Sequence, residues 1–374
     1  MTSPSTVVQE TPYLVIDVRI AADRYRRLAD SFGDTAIYYA VKANPEPSVI
    51  RTLVALGSSF DVASPAEIEL CLASGAQPQN LSYGNTIKKS ADIAFAYARG
   101  VRMFAFDSEA ELTKLAEHAP GAQVFCRLLV ETVNAQWPLG SKFGCSTEMA
   151  VELLTQAREL GLDPIGVSFH VGSQQLDPAQ WAPSVARAAG VFARLRDQGI
   201  ELTLLNVGGG FPVGYAEPVT PIEDFAKAIQ SSADEHFGAR LPRIIVEPGR
   251  YVAAESGVLR TQVVLVSRKS HDDEKRWVYL DVGRFGGLAE TEGEAIRYRI
   301  STAHDDAPAG PVILAGPTCD SVDILYQNTP YLLPLGLQPG DLVEIQGTGA
   351  YTATYSSAAF NGFPPLATIC IGDS

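Results

Sequence analysis

The sequence predicts an α/β protein: a (β/α)8 barrel of the TIM type followed by a second, mainly β domain. The first observation behind this is an alternation. From about residue 37 to 248, short β-branched or aromatic runs are separated by longer stretches with apolar residues at helical spacing, the pattern of parallel strands joined by crossover helices. The second is a change of texture after residue 256, where strand-like runs follow one another closely and are punctuated by Gly and Pro. The third is bulk, because 374 residues, 46% hydrophobic and 19% charged, suffice for a large core and exclude a disordered chain. The barrel is expected over 18–256, with 1–17 and 257–374 forming the β domain.

The barrel runs are Ile37–Val41, Ser59–Val62, Leu81–Tyr83, Met103–Phe106, Gln123–Arg127, Ile165–Phe169, Leu202–Val207 and Arg243–Val246. Stretches such as Pro65–Ala73 and Met149–Ala157 carry apolar stripes at helical spacing and read as barrel-packing helices. An open doubly wound sheet is the competing arrangement. Beyond the barrel, Thr261–Val266, Arg276–Leu280, Val312–Leu314 and Asp341–Ile345 read as strands, and Tyr13–Ile16 is expected to pair with them.

Charge and cysteine usage narrow the function. With 29 basic and 43 acidic residues the chain carries a formal charge of −14, so phosphate backbones and anionic lipid are repelled and nucleic acid is a poor partner. No apolar stretch approaches the ~18–20 residues of a membrane span, and the N-terminal segment lacks a basic and apolar leader pattern, which reads as cytoplasmic. Five cysteines without a CxxC pair fit a reduced compartment, and five scattered histidines argue against a protein-built metal site. Chemistry here is expected to use an organic cofactor or none.

Barrel enzymes place their chemistry at the C-terminal ends of the strands. There the first strand leads to Lys42, the second carries Asp61 and leads to Ser64 and Glu67, and the fifth ends in Arg127. The sixth leads to His170 and Ser173, the seventh to Gly208-Gly209-Gly210, and the eighth to Glu247 and Arg250. A lysine behind an apolar strand suits Schiff-base formation, although alone it reads better as a side chain reaching solvent. Three glycines let backbone amides converge on a phosphate, and Arg250 strengthens that reading over a simple tight turn. Glu247 would suit a pyridine nitrogen as well as a salt bridge, and His170 would stack on a ring or serve as an ordinary core histidine. Together these residues describe a pyridoxal 5′-phosphate site.

At this point the sequence resembles the barrel-type (fold type III) pyridoxal-phosphate decarboxylases, the group of ornithine, lysine/ornithine and diaminopimelate decarboxylases that shares the alanine-racemase-like fold. The resemblance is carried by Tyr39–Asn44, Phe60–Ser64, Ser168–Ser173, Gly208–Pro212, Glu247–Arg250, Gly316–Asp323 and Gly349–Tyr351, in order over nearly the whole chain. It implies Lys42 as the Schiff-base lysine, His170 on the ring and Glu247 at the pyridine nitrogen. Asp61, Glu67 and Arg127 would surround lysine and cofactor, and Ser173, Gly209, Gly210, Arg250 and Tyr351 would contact the phosphate. It further implies a homodimer with shared active sites, in which Cys319 and Asp320 reach the partner's site. Cys319 would protonate Cα after loss of CO2, and Cys319, Asp320 and Tyr351 would contact substrate.

Cys319-Asp320 resembles the ornithine/lysine branch, and Asp320 would attract a distal ammonium. One position departs from that branch: Val282 stands where ornithine decarboxylases usually carry a second substrate-binding aspartate. Asp281 is one residue off and on a strand would face the opposite side. Glu290, Glu292 or Glu294 would then replace the carboxylate, or the pocket would take a less cationic, valine-like side chain. The expected reaction is L-ornithine to putrescine, with L-lysine to cadaverine next. The alternatives are a diaminopimelate decarboxylase, an amino-acid racemase and a non-catalytic regulatory relative.

Overall fold

The computed structural model describes residues 9–131, 133–137 and 141–372. Eight parallel strands close into a barrel: Ala36–Ala40, Ser59–Val62, Leu81–Tyr83, Met103–Phe106, Gln123–Arg127, Asp163–Ser168, Leu204–Asn206 and Arg243–Val246. Closure is made by the eighth strand pairing with the first, Val246 opposite Ile37. The expected barrel is therefore present and the open sheet is not. Its interior is filled by Tyr38, Met103, Ala105, Phe125, Ile165, Leu204 and Ile245, drawn from six of the eight strands. Because side chains alternate along a strand, the residue two positions beyond each of these also faces inward. That rule aims Arg127, Asn206 and Glu247 into the barrel mouth.

Local sequence explains the helices. In Pro65–Ala73, proline takes the first turn and Ser64 accepts from the Glu67 amide, a side-chain cap at the orphaned N–H groups. In Thr147–Glu159, Ser146 does the same for Met149. The first strand ends at Ala40, one residue before the sequence suggests, because Val41-Lys42-Ala43 closes into a 3₁₀ turn.

The second unit is built on an eight-stranded sheet containing Tyr13–Asp17, Gly257–Ser267, Arg276–Leu280, Arg299–Thr302, Ala309–Ala315, Ile324–Pro334, Leu342–Gln346 and Ala367–Ile371. Tyr13–Asp17 lies between Gly257–Ser267 and Ala367–Ile371, antiparallel to the former and parallel to the latter. The two compact units divide as 20–214 with 218–253, and 1–19 with 215–217 and 254–374. The short excursion Tyr215–Glu217 thus joins the β unit, where Tyr215 packs edge-on against Tyr298 at 5.4 Å. All five cysteines are free, and Cys126 and Cys145 sit side by side with sulfurs 3.5 Å apart.

Candidate active site

The mouth of the barrel brings the sequence-predicted polar residues together. Lys42, carried on the 3₁₀ turn, keeps about half of its side chain exposed and places Nζ 3.0 Å from Asp61 Oδ2. Asp61 is buried, and its other oxygen, Oδ1, has no hydrogen-bond partner among the described residues. Glu67 is engaged close by: its Oε2 accepts from the Ala63 amide at 2.7 Å while its own amide donates to Ser64, so it braces the start of its helix. Burial raises its carboxyl above the usual range.

Glu247 follows the eighth strand and accepts a short 2.5 Å hydrogen bond from Asn206 Nδ2. Burial, reinforced by the Asp61 charge, pushes its carboxyl up to about 7, against the opposing pull of Lys42, Asn206 and Arg127. Arg127 faces Glu247, Asp107 and Asp61; burial lowers its affinity for the proton, and these carboxylates only partly offset that. His170 accepts from the Gly172 amide through Nδ1 at 3.1 Å, which leaves its proton on Nε2. Burial and the cations Arg127 and Lys42 hold it well below the ordinary histidine range, so it stands as a neutral ring.

The glycine turn has two physical reasons. Gly210 adopts φ +97°, and a Cβ there would strike the Gly172 carbonyl oxygen; a Cβ on Gly209 would strike that of Glu247. The turn borders the His170 ring: a Cβ on Gly209 would stand 3.6 Å from Nε2 and one on Gly210 3.4 Å from Cε1, ordinary contact distances. The next residue, Phe211, anchors the turn by stacking on Trp181 at 5.3 Å. The amides of Gly209 and Gly210 donate to no described residue. Beside the turn, buried Arg250 directs Nε and a terminal nitrogen to Ser173 Oγ at 3.2 and 3.1 Å. Two unpartnered amides, a buried guanidinium and a hydroxyl form a site for a phosphate. A neutral histidine ring, a carboxyl near neutrality and an accessible amine complete a set that fits pyridoxal 5′-phosphate.

Cys319, Asp320 and Tyr351 belong to the β unit. Cys319 is exposed; its amide donates to Asn361 Oδ1 at 3.0 Å and its sulfur receives Asn361 Nδ2 at 3.3 Å. Asp320 is exposed and accepts from the Val322 amide, while buried Asp323 ties the loop by accepting from the Thr318 amide and hydroxyl and the Arg284 amide. Tyr351 takes φ +55°.

The departure at Val282 is sharpened here. Val282 is 1% exposed and lines a cavity with Asp281, Phe285, Phe360, Phe363 and Leu366. Asp281 accepts from the Thr261 hydroxyl and the Gln262 amide, so its carboxylate joins strands. Glu294 accepts from the amides of Gln327, Asn328 and Thr329, which hold it below the usual carboxylate range despite burial. Glu290 is buried, and exposed Glu292 stands 3.5 Å from Arg284. Of the three substitutes considered, Glu294 is committed to the backbone.

Two residues that the sequence reading passed over matter here. Asn206 holds Glu247, and its signal was a polar residue inside the apolar run Leu202–Val207. Asn361 holds Cys319, and Asn361-Gly362 read as an ordinary turn signal.

Comparison with known proteins identifies the family. Residues 19–254 match the family described as pyridoxal-dependent decarboxylase, pyridoxal binding domain. The lysine/ornithine decarboxylase of Selenomonas ruminantium is 33% identical over 364 residues, covering 97% of this chain and 90% of that protein. Among solved structures, the lysine/ornithine decarboxylase of Vibrio vulnificus complexed with cadaverine superposes with a TM-score of 0.87 at 32% identity, covering 97% of this chain and 95% of the other. The arginine decarboxylase of Paramecium bursaria Chlorella virus gives 0.88 at 28% identity, covering 97% and 96%.

Proposed function

Because the chain belongs to the pyridoxal-dependent decarboxylases, with pyridoxal 5′-phosphate as cofactor, we propose that it decarboxylates a basic L-amino acid, L-ornithine first and L-lysine next, as a cytoplasmic homodimer with shared active sites. The observation that carries this reading is the barrel mouth, where the accessible Lys42 amine, paired with Asp61, accompanies the Arg250–Ser173 pair and the two unpartnered glycine amides. Relatives described as lysine/ornithine decarboxylases over nearly the full length support the substrate class.

Bound in this mouth, the cofactor supplies an aldehyde for amine capture and a ring that takes up the electron pair left by departing CO2. The chain's own residues do the rest. Lys42 would hold the cofactor through its aldehyde, and Asp61 keeps the amine in place. Arg250, Ser173 and the amides of Gly209 and Gly210 would hold the phosphate. Glu247, aligned by Asn206, would hold the ring nitrogen's proton, and His170, kept neutral by burial, would not compete for it. Cys319 of the second protomer, oriented by Asn361, delivers a proton to Cα, and Asp320 beside it attracts the distal ammonium.

One feature favours a second reading: Val282 stands at the departing position, and the carboxylate that lines its cavity, Asp281, is tied to Thr261 and Gln262, as a valine-like substrate would allow. Mixed dimers test the first reading. Lys42→Ala and Cys319→Ala proteins are each expected to fail in producing putrescine from ornithine, and mixing them restores part of the activity by re-forming an intact site. No restoration after verified subunit exchange contradicts the shared site.

A further inference from the structure

Below the site lies an ionic cluster that the proposed chemistry does not use. The Lys88 side chain is completely buried, with Nζ donating to the carbonyls of Asn85 (2.8 Å) and Ala105 (2.7 Å) and ion-paired with Glu111 at 3.0 Å. The Lys88 amide donates to the other oxygen of Glu111, which also meets Lys114 Nζ at 2.5 Å, and Lys114 donates to the Lys88 carbonyl. Burial lowers the Lys88 amine to about 8, with Glu111 opposing the shift. Stability alone is a weak reason for such a cluster, because well-packed apolar residues often replace a buried ion pair without loss. Its geometric product is a fixed loop from Gly84 to Lys88, pinned to the fourth strand through Ala105.

That loop is the wall against which Asp61 rests. Gly84 donates its amide to Val62 at 3.1 Å, and a Cβ on it would overlap Asp61 Oδ1. Since Oδ1 has no hydrogen-bond partner among the described residues, contact with Gly84 on one side and Lys42 at Oδ2 on the other define where the carboxylate points. We propose that Lys88 is a positioning residue: through Asn85 and Gly84 it fixes Asp61, and through Asp61 it holds the Lys42 amine. The proposal rests on reading Lys42 as the residue that carries the cofactor.

The test uses cofactor-loaded protein and compares Lys88→Met with Leu112→Ala, a buried residue on the same helix as Glu111 that touches neither loop nor site in this scheme. The readout is the pH midpoint of the absorbance of the cofactor linked to Lys42, with thermal melting recorded alongside. Removing a carboxylate from a nearby nitrogen cation lowers its midpoint, by about one unit or more for a partner at this distance. Lys88→Met is expected to show that fall, and Leu112→Ala to melt earlier with an unmoved midpoint. An unmoved midpoint in Lys88→Met, or an equal shift in both variants, overturns the proposal. Should Lys88→Met fail to fold, Glu111→Gln is read in its place with the same two outcomes. A wild-type protein with no cofactor linked to Lys42 overturns the underlying reading and the proposal with it, a result distinct from an unshifted variant.

Discussion

The Glu247→Gln substitution separates what this carboxyl does for chemistry from what it does to the fold. Its carboxyl stands at about 7 where 4.5 is ordinary. A raised carboxyl means that the folded protein resists ionisation, so the penalty is absent below the ordinary value, grows as pH rises between the two values and is complete above the higher one. At 1.36 kcal/mol per unit, the penalty in the cofactor-free protein is at most about 3.5 kcal/mol. Glutamine keeps a partner for Asn206 and carries no charge, so it removes this penalty. For a domain of the barrel's size each kcal/mol moves Tm by roughly 2–4 °C. Cofactor-free Glu247→Gln is therefore expected to melt several degrees above wild type at pH 8 and nearly with it at pH 5, followed by circular dichroism, while the loaded variant loses most of its decarboxylation. Equal shifts at both pH values, or a less stable variant at pH 8, would refute the reasoning.

Three further outcomes follow from the same geometry. Cys319→Ala should bind cofactor normally but lose clean amine formation, seen as an altered product ratio; unchanged turnover with the same ratio contradicts its role at Cα. Arg250→Ala removes a charge-assisted contact of about 1.5–3 kcal/mol, so cofactor affinity measured by absorbance titration should fall roughly ten- to a hundredfold. Glu294→Ala strips the acceptor from the amides of Gln327, Asn328 and Thr329 and should destabilise the β unit by about 1–3 kcal/mol in urea denaturation, leaving substrate preference unchanged.

Much of the barrel was legible because its strands are short, apolar and separated by helical stripes; Ser59–Val62, Met103–Phe106 and Gln123–Arg127 match the structure residue for residue. The β unit was harder. Ile324–Pro334, with Gln327, Asn328 and Thr329 in its middle, has no apolar alternation there, and its register is set by pairing with Ala309–Ala315. Arg299–Thr302 is short and depends on Leu342–Gln346 for its identity as a strand. In the barrel mouth, residue types just after the strands pointed to Lys42, His170, Glu247 and Arg250 because barrel chemistry gathers at the C-terminal strand ends. Asn206 and Asn361 escaped because an asparagine's value lies in which neighbour it bonds, a contact over 41 or 42 residues of chain. The commitments of Asp281 and Glu294 escaped for the same reason: their partners are backbone amides of strands that sequence spacing does not bring together.

Substrate choice tests the central claim most directly. Cofactor-loaded protein is mixed separately with L-ornithine, L-lysine, L-arginine, diaminopimelate and L-valine, and CO2 and amine are followed together. The account predicts stoichiometric CO2 and diamine from ornithine, with lysine next. Preference for valine, or no amine from any of the five, would contradict it.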